Sequence, residues 1–401
     1  MIKAAILGYG TVGSGIFEIL NSNKETISKK TGNDIEVKYV LDLREFPGDP
    51  VEKVLVHDFD IIVNDKEVDI VAEAMGGVEP AYTFAKKAIE SGKSFCTSNK
   101  ELVAKHGAEL LKLAKEHKVN FLFEASVGGG IPIIRPLNSS LTPEYVEEIT
   151  GILNGTTNYM MTKMSKEGLD FDSVLKDAQD KGYAERNPEA DIEGYDACRK
   201  IAILSSIAYG KQVDFEDIHT EGITNISDTD MVYAAKLNKA IKLLGTSYKE
   251  NGKVTAMVAP MLVDNESPLY AVNDVFNAIL VKGNMLGEVM FYGKGAGKLA
   301  TASAVVSDII EEAKNIGNTL TCVWEADKIE LNDFSCASNV FFVRVNASLK
   351  DKVSSIFGDV ETVDAGVDNE YAFITKKMTE GEFADKTEQL GGIINKIRVK
   401  C

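Results

Sequence analysis

IKAAILGYGTVG, residues 2–13, joins a short apolar run to three glycines at fixed spacing. Ile2–Leu7 has the length and composition of a buried strand. Gly8, Gly10 and Gly13 follow as G-x-G-x-x-G, and Ile16, Ile19 and Leu20 then open an apolar pattern at helical spacing. Glycines so placed allow a tight turn and the close approach of a pyrophosphate, which rests on the helix N-terminus. Glycine turns are common. The strand before and the helix after supply the context the motif requires.

Outward from this unit, strands and helices alternate. Glu36–Leu41 reads as the second strand and ends at Asp42, where an acid bonds ribose hydroxyls and favours NAD; Arg44 offers the opposite preference, for NADP. The plain alternative is a turn with two exposed charges, so the expectation leans to NAD and leaves NADP open. Asp60–Val63 reads as a strand, Val68–Met75 as a stronger one running into Gly76-Gly77, and a helix follows over Pro80–Ile89. Lys93–Thr97 is a strand, Asn99-Lys100 its tip, Glu101–His117 a helix and Val119–Glu124 a strand. The alternation predicts an α/β fold with a Rossmann-type doubly wound parallel sheet, whose ligands bind beyond the carboxyl ends of the strands. Lys100 lies at such an end, although a loop lysine is usually just solvated. Glu124–Pro132, EASVGGGIP, is a second glycine-rich turn that either aims carbonyls at a monovalent cation or permits tight packing.

Tyr183–Ala208, YAERNPEADIEGYDACRKIAILSSIA, is acidic first and apolar-periodic last. On a helix beginning near Asp191, Asp196 and Lys200 stand at i and i+4. Ile201, Leu204, Ile207 and Ala208 put that face beside a core. A lysine held there against an aspartate has its proton affinity tuned by burial and by the partner charge, as proton transfer to a substrate oxygen requires. An isolated Asp-x-x-x-Lys is more often a solvated pair. Glu185, Asp191 and Glu193 crowd more acid into the preceding turn than solubility needs. His57, His106, His117 and His219 all fall in helices or turns outside the glycine and acidic motifs.

The chain has 401 residues, enough for two or three domains. A net charge of -17 argues against nucleic acid or an anionic membrane as partner. No apolar run approaches a membrane span, and the chain enters a strand without a signal peptide. Cys96, Cys198, Cys322, Cys336 and Cys401 are odd in number and scattered, with no CxxC pair, against a disulfide framework or a zinc site. A cytoplasmic protein with reduced thiols is expected.

GYGTVG, EAMGG, TSNKELVAKHG, EASVGGGIPII, GILNGTTNY, YAERNPEADIEGYDACRKIAIL and YGKGAG, in this order, resemble homoserine dehydrogenase over residues 1–320. The resemblance implies interconversion of aspartate 4-semialdehyde and homoserine by hydride transfer with NAD or NADP, on the route to threonine and methionine. It implies Lys200 and Lys100 as catalytic lysines, with Asp196 orienting substrate and Lys200. Glu185, Asp191, Gly155 and Thr156 would line the substrate, whose ammonium suits the acids. The cofactor would meet Gly8, Gly10, Thr11, Val12, Gly13, Asp42, Gly76, Asn99, Lys100 and Gly295. A sodium or potassium ion would take the backbone carbonyls of Glu124, Val127, Gly129 and Ile131. A homodimer or higher homo-oligomer is implied as well. Two positions bear on the comparison: Ala300 stands where members usually have proline, and Leu41 where NADP-preferring members often have a basic residue.

The expected domains are 1–135, completed by 291–320, for the dinucleotide; 136–290, α+β, for substrate and dimerisation; and 335–401. In the second, NGTTNYMMTKMSKEG and Asp172–Lys181 read as helices, Asp228–Gly245 as a helix, and Lys253–Leu262 and Val289–Tyr292 as strands. Ala300–Ile316 reads as a helix returning to the first domain, and Trp324–Ser338 as a linker. The remainder reads as strand, helix, strand, strand, helix, strand, the ferredoxin-like order. It resembles an ACT domain with Asp351-Lys352-Val353 in place of the usual Pro-Gly pair. Oligomerisation is its expected role, and threonine sensing a second. Two competing readings are a catalytically silent nucleotide-binding scaffold or sensor, and a semialdehyde enzyme using Cys96 or Cys198 as nucleophile. Retention of Asp196, Lys200 and Lys100 in their motifs opposes the first; the lack of a histidine beside either cysteine opposes the second.

Overall fold

The computed structural model describes residues 1–250 and 252–400. The chain divides into two units: 1–145, 202–214 and 293–329 form one, and 146–201, 215–292 and 330 onward form the other. The boundary falls inside the helix Tyr195–Tyr209.

The first unit is built on a parallel sheet with the spatial order Leu55–Val56, Ile35–Leu41, Ile2–Leu7, Ile70–Glu73, Ser94–Thr97, Phe121–Leu122. Ile6 pairs with Val40 on one side and Ala72 on the other. The order reverses at the first strand, so the glycine turn leaves the sheet at the switch point where such folds bind ligands. Ala4 and Ile6 pack with Ile16, Leu20, Val305 and Ile309. Ala5 and Leu7, on the opposite face by strand alternation, are equally buried. Each large apolar side chain so buried contributes about 1.5–3 kcal/mol. Two of those partners lie on the helix Lys298–Lys314, which rejoins this unit from late in the chain.

Several local expectations are corrected here. Phe59–Asn64 is a helix rather than a strand: Asp58 caps it by accepting from Asp60 N, and Phe59 stacks on Phe84. The last strand shrinks to Phe121–Leu122, because a helical turn, Ala125–Gly128, begins just after it. The stretch from Trp324 is not a bare linker. Trp324 is buried over Gly107 and Phe123 and donates to Gln212, and Glu325–Lys328 pairs with Lys211–Gln212.

The second unit is a mixed sheet, eleven-stranded among the described residues. Its central path runs Gly287–Lys294, Phe276–Gly283, Val146–Ile152, Lys239–Glu250, Lys253–Asp264, Asn395–Lys400, Ser338–Asn346, Glu370–Ile374, Glu361–Val363. The helix expected over Asp228–Gly245 ends at Lys236; Asn238 turns with φ +54°, and Lys239–Glu250 pairs antiparallel with Lys253–Asp264 along its whole length. The opening of Lys239–Glu250, KAIKLLG, carries only a short apolar pattern, which periodicity alone does not separate from a helix. Within residues 338–400 the strands lie in the order last, first, third, second, as in a ferredoxin-like βαββαβ unit. Its last strand runs parallel to Lys253–Asp264, with Arg398 opposite Met261, so this module continues the central sheet. Among the described residues no helix is long and apolar enough to cross a membrane.

Candidate active site

In the first unit the glycine turn is shaped by contact. Gly8 has φ +89°, and a Cβ on Gly13 would stand 1.8 Å from the Gly8 carbonyl oxygen, so neither position tolerates a side chain. A Cβ on Gly10 would meet nothing within 4 Å, which leaves the turn open above its middle glycine. The helix Thr11–Ser22 starts there with no side-chain cap at Gly10 and no acid in its first turn. Thr11 and Val12 supply that first turn, whose N–H groups suit a pyrophosphate.

Asp42 ends the second strand beside this turn. Its carboxylate accepts from Tyr9 N at 2.7 Å and takes Arg44 in a two-point pair, Nε and Nη2 each at 2.9 Å. The Arg44 guanidinium, with burial opposing and the Tyr9 and Arg44 N–H groups assisting, holds the acid well below the usual carboxylate range. The acid and the base expected to pull cofactor choice in opposite directions are bound to each other.

At the next strand ends, buried Glu73 accepts from Met75 N, Gly76 N and Thr97 Oγ1. Burial pushes its carboxyl up against those bonds. Gly76, at φ +84°, faces open space. Asn99 caps the helix Lys100–His117 by accepting from Glu101 N and Leu102 N, and donates to Gly77 O. Gly76, Asn99 and Lys100 thus stand at adjacent carboxyl ends, with Lys100 half-buried. Glu73 and Thr97 were not singled out in the sequence; the acid closing the apolar run IVAE was the available signal.

The second glycine turn packs against the YGKGAG segment, since a Cβ on Gly129 would lie 2.1 Å from the Gly295 carbonyl oxygen. Glu124 shapes the same turn by accepting from the N–H groups of Ile133, Ile134 and Arg135. Val127 lies in the helical turn and Ile131 donates back to Gly128 O. Among the described residues no group of three His, Cys, Asp or Glu is placed to hold a metal.

In the second unit, Lys200 is buried and its Nζ donates to Asp196 Oδ2 at 2.7 Å and Leu153 O at 2.8 Å. Asn154, which the sequence reading passed over, joins the cluster. Its Nδ2 donates to Asp196 Oδ2 at 2.9 Å and Asp191 Oδ1 at 2.7 Å, while its Oδ1 accepts from Thr157 N and caps the helix Gly155–Glu167. An asparagine just before a helix is the signal that marks it. Asp191, Asp196 and Lys200 therefore meet around one carboxamide, with Gly155 and Thr156 at the same helix start. Thr156 Oγ1 donates to Tyr183 O and ties the acidic stretch to that start. Glu185 stands apart on the exposed part of the stretch.

The helix that carries Asp196 and Lys200 starts at Tyr195, after the separate turn Glu189–Ile192, rather than near Asp191. Asp196 thereby falls in its first turn. Neither cysteine suits a nucleophile: Cys96 is fully buried and burial pushes its thiol up, while Cys198 is buried and donates to Phe215 O.

A dinucleotide-type glycine turn and a buried lysine–aspartate pair in one chain fit the class of NAD(P)-dependent oxidoreductases. Comparison with known proteins narrows the class. The family model described as homoserine dehydrogenase matches residues 132–310, and the one described as homoserine dehydrogenase, NAD binding domain, matches residues 8–124. The homoserine dehydrogenase of Synechocystis sp. is 46% identical over 319 residues, 77% of this chain and 72% of the relative. The crystal structure of a homoserine dehydrogenase from Thiobacillus denitrificans superposes with a TM-score of 0.91 at 33% identity, covering 100% of this chain and 98% of that one. A hyperthermophilic archaeal homoserine dehydrogenase in complex with NADPH gives 0.67 at 30% identity, over 78% of this chain and 97% of its own. The chain belongs to the homoserine dehydrogenase family.

Proposed function

We propose that the protein interconverts L-homoserine and L-aspartate 4-semialdehyde, with Lys200 as the proton carrier. The observation that carries this is the buried lysine with two of its three N–H bonds committed, to Asp196 and Leu153 O. In this proposal the third serves a substrate oxygen. A nicotinamide dinucleotide, held by Gly8–Gly13, supplies the hydride acceptor in one direction and the donor in the other. In oxidation the hydroxyl proton of the primary alcohol passes to the Lys200 amine as the C–H bond gives up its electron pair. In reduction the Lys200 ammonium returns the proton to the aldehyde oxygen. Asp196 orients Lys200, and Lys100 is the second catalytic lysine of the proposal. Asp191 and Glu185 suit the substrate ammonium, with Gly155 and Thr156 beside it.

The finer assignments belong to the same proposal. Asp42 at the second strand tip supports a lean to NAD, with Arg44 as the counterweight. The glycine turn supports a sodium or potassium ion on the carbonyls of Glu124, Val127, Gly129 and Ile131, where it would brace the turn against Gly295. The ranges 1–135 with 291–320, 136–290 and 335–401 serve as dinucleotide, substrate and ACT-like domains, in a cytoplasmic homo-oligomer.

The test is absorbance at the reduced-nicotinamide band when the purified chain meets L-homoserine, with NAD and NADP in parallel and sodium or potassium present. Growth of the band with either cofactor supports the proposal. A folded protein that binds NADH and stays silent overturns it.

A further inference from the structure

Glu221 follows the short strand His219–Thr220, far from Asp196 in sequence, and no motif marks it. Its carboxylate is gripped at both oxygens by Arg398, Nη1 at 2.8 Å and Nη2 at 2.7 Å, and also accepts from His219 Nε2 at 2.8 Å. Arg398 is almost wholly buried in the last strand, and its remaining edge binds Glu380, Nε at 2.6 Å and Nη2 at 3.0 Å. Such a two-point guanidinium pair fixes direction as well as distance.

What Arg398 fixes lies directly under the substrate acids. The residue after Glu221 is Gly222, and a Cβ there would fall 2.2 Å from Ile192 O and 2.5 Å from Glu193 Cα. Ile223 N donates to Ile192 O at 2.7 Å. Gly194, the last residue before the catalytic helix, rests against Thr220, Val258 and Glu221 O. The Glu221–Ile223 backbone is thus the floor on which the Asp191–Gly194 turn sits. That turn carries Asp191 and launches Asp196 and Lys200.

We infer that Arg398, through Glu221, is a positioning residue for the substrate acids, so that the C-terminal strand takes part in substrate binding without touching substrate. This rests on the proposed homoserine chemistry for its kinetic readout. Loss of the grip lets the turn shift relative to Lys200. A displacement of about 1 Å far from the chemistry costs up to roughly 10²-fold.

The experiment compares the full chain with Glu221→Gln, Arg398→Met and Arg398→Lys. Steady-state kinetics and amide hydrogen exchange are read on each, after thermal unfolding has identified the variants that fold. Expected is a rise in the homoserine KM of about 10- to 100-fold. The cofactor KM should stay within about twofold of the parent. Exchange at the Ile223 amide should be faster, and Arg398→Lys intermediate. Glu221 is partly exposed, so Glu221→Gln decides the matter if Arg398→Met does not fold. An unchanged homoserine KM, a parallel rise in both KM values, or unaltered exchange at Ile223 overturns the inference. If the parent does not oxidise homoserine, the functional reading falls, and the exchange comparison still judges the positioning role.

Discussion

Lys200 Nζ lies 2.7 Å from Asp196 Oδ2, one helical turn earlier, and both side chains are buried. The pair is not a surface ion bridge, which would contribute little. Asn154 donates to the same Asp196 oxygen and Leu153 O accepts from the amine, so the amine is held in one place. A proton carrier needs that definition more than it needs charge.

Asp196→Asn keeps the shape of the side chain and removes its charge. It should lower kcat by about 10²-fold while leaving the cofactor KM near the parent value, since proton transfer is impaired and the dinucleotide turn lies in the other unit. Steady-state kinetics with homoserine varied and then cofactor varied measures both. A rise confined to the cofactor KM would remove Asp196 from the proton path.

Asp42→Ala removes the acid that restrains Arg44. NADH affinity should fall by roughly 10-fold or more, as a charged hydrogen bond contributes about 1.5–3 kcal/mol. NADPH should lose less, because the released guanidinium is free for the extra phosphate. Asp42 also holds Tyr9 N, so Asp42→Asn serves as the control that retains an acceptor there. Equal losses for the two cofactors in fluorescence titrations would contradict the ribose contact.

How much of this was legible beforehand follows from the range of each interaction. The glycine turn and the Asp196–Lys200 pair depend on neighbours a few residues apart, so spacing alone exposes them. The C-terminal module was legible for the same reason, as its short amphipathic elements alternate cleanly. Asn154 was missed because its partners, Asp191 and Asp196, lie 37 and 42 residues on. Arg398 and Glu221 are 177 residues apart, beyond any local pattern. The strands Val146–Ile152 and Phe276–Gly283 were passed over because neither alternates cleanly: Glu147 and Glu148 stand side by side in the first, and Ala278–Val281 are four apolar residues in a row in the second.

The Arg398 pair also predicts an acid response. Burial pushes the Glu221 carboxyl up, but Arg398 and His219 outweigh it and hold the group far below its ordinary 4.5. The unfolded chain therefore takes up this proton first as pH falls. Glu221 contributes its full stabilisation above about pH 4.5 and loses it progressively below, with a slope of up to about 1.4 kcal/mol per pH unit. Chemical denaturation from pH 6 to pH 3 should show a shallower decline for Glu221→Gln than for the parent. Parallel curves would count against it.

Glu312 gives the opposite sign. It is fully buried in the first unit, neither oxygen has a hydrogen-bond partner among the described residues, and the neighbouring Cys96 thiol is at most a weak donor. Burial, and then the charge of Asp308, push its carboxyl well above 4.5. The folded chain keeps a proton that the unfolded chain releases, so stability declines as pH rises from 4.5 toward the folded value. Glu312→Met should therefore melt higher than the parent at pH 8, by about 2–4 °C for each kcal/mol recovered, with a smaller gap at pH 5. A lower melting temperature at both pH values would show that the carboxyl has a partner.

The central claim is that Lys200 carries the proton in homoserine oxidation. Its most direct test is the parent and Lys200→Ala side by side, with L-homoserine and a saturating nicotinamide cofactor, scored by the rate of growth of the reduced-nicotinamide band. The account predicts clear turnover by the parent and a loss of about 10²- to 10⁴-fold in the variant, with NADH binding retained. A variant that turns over at the parental rate, or that loses NADH binding along with activity, would contradict it.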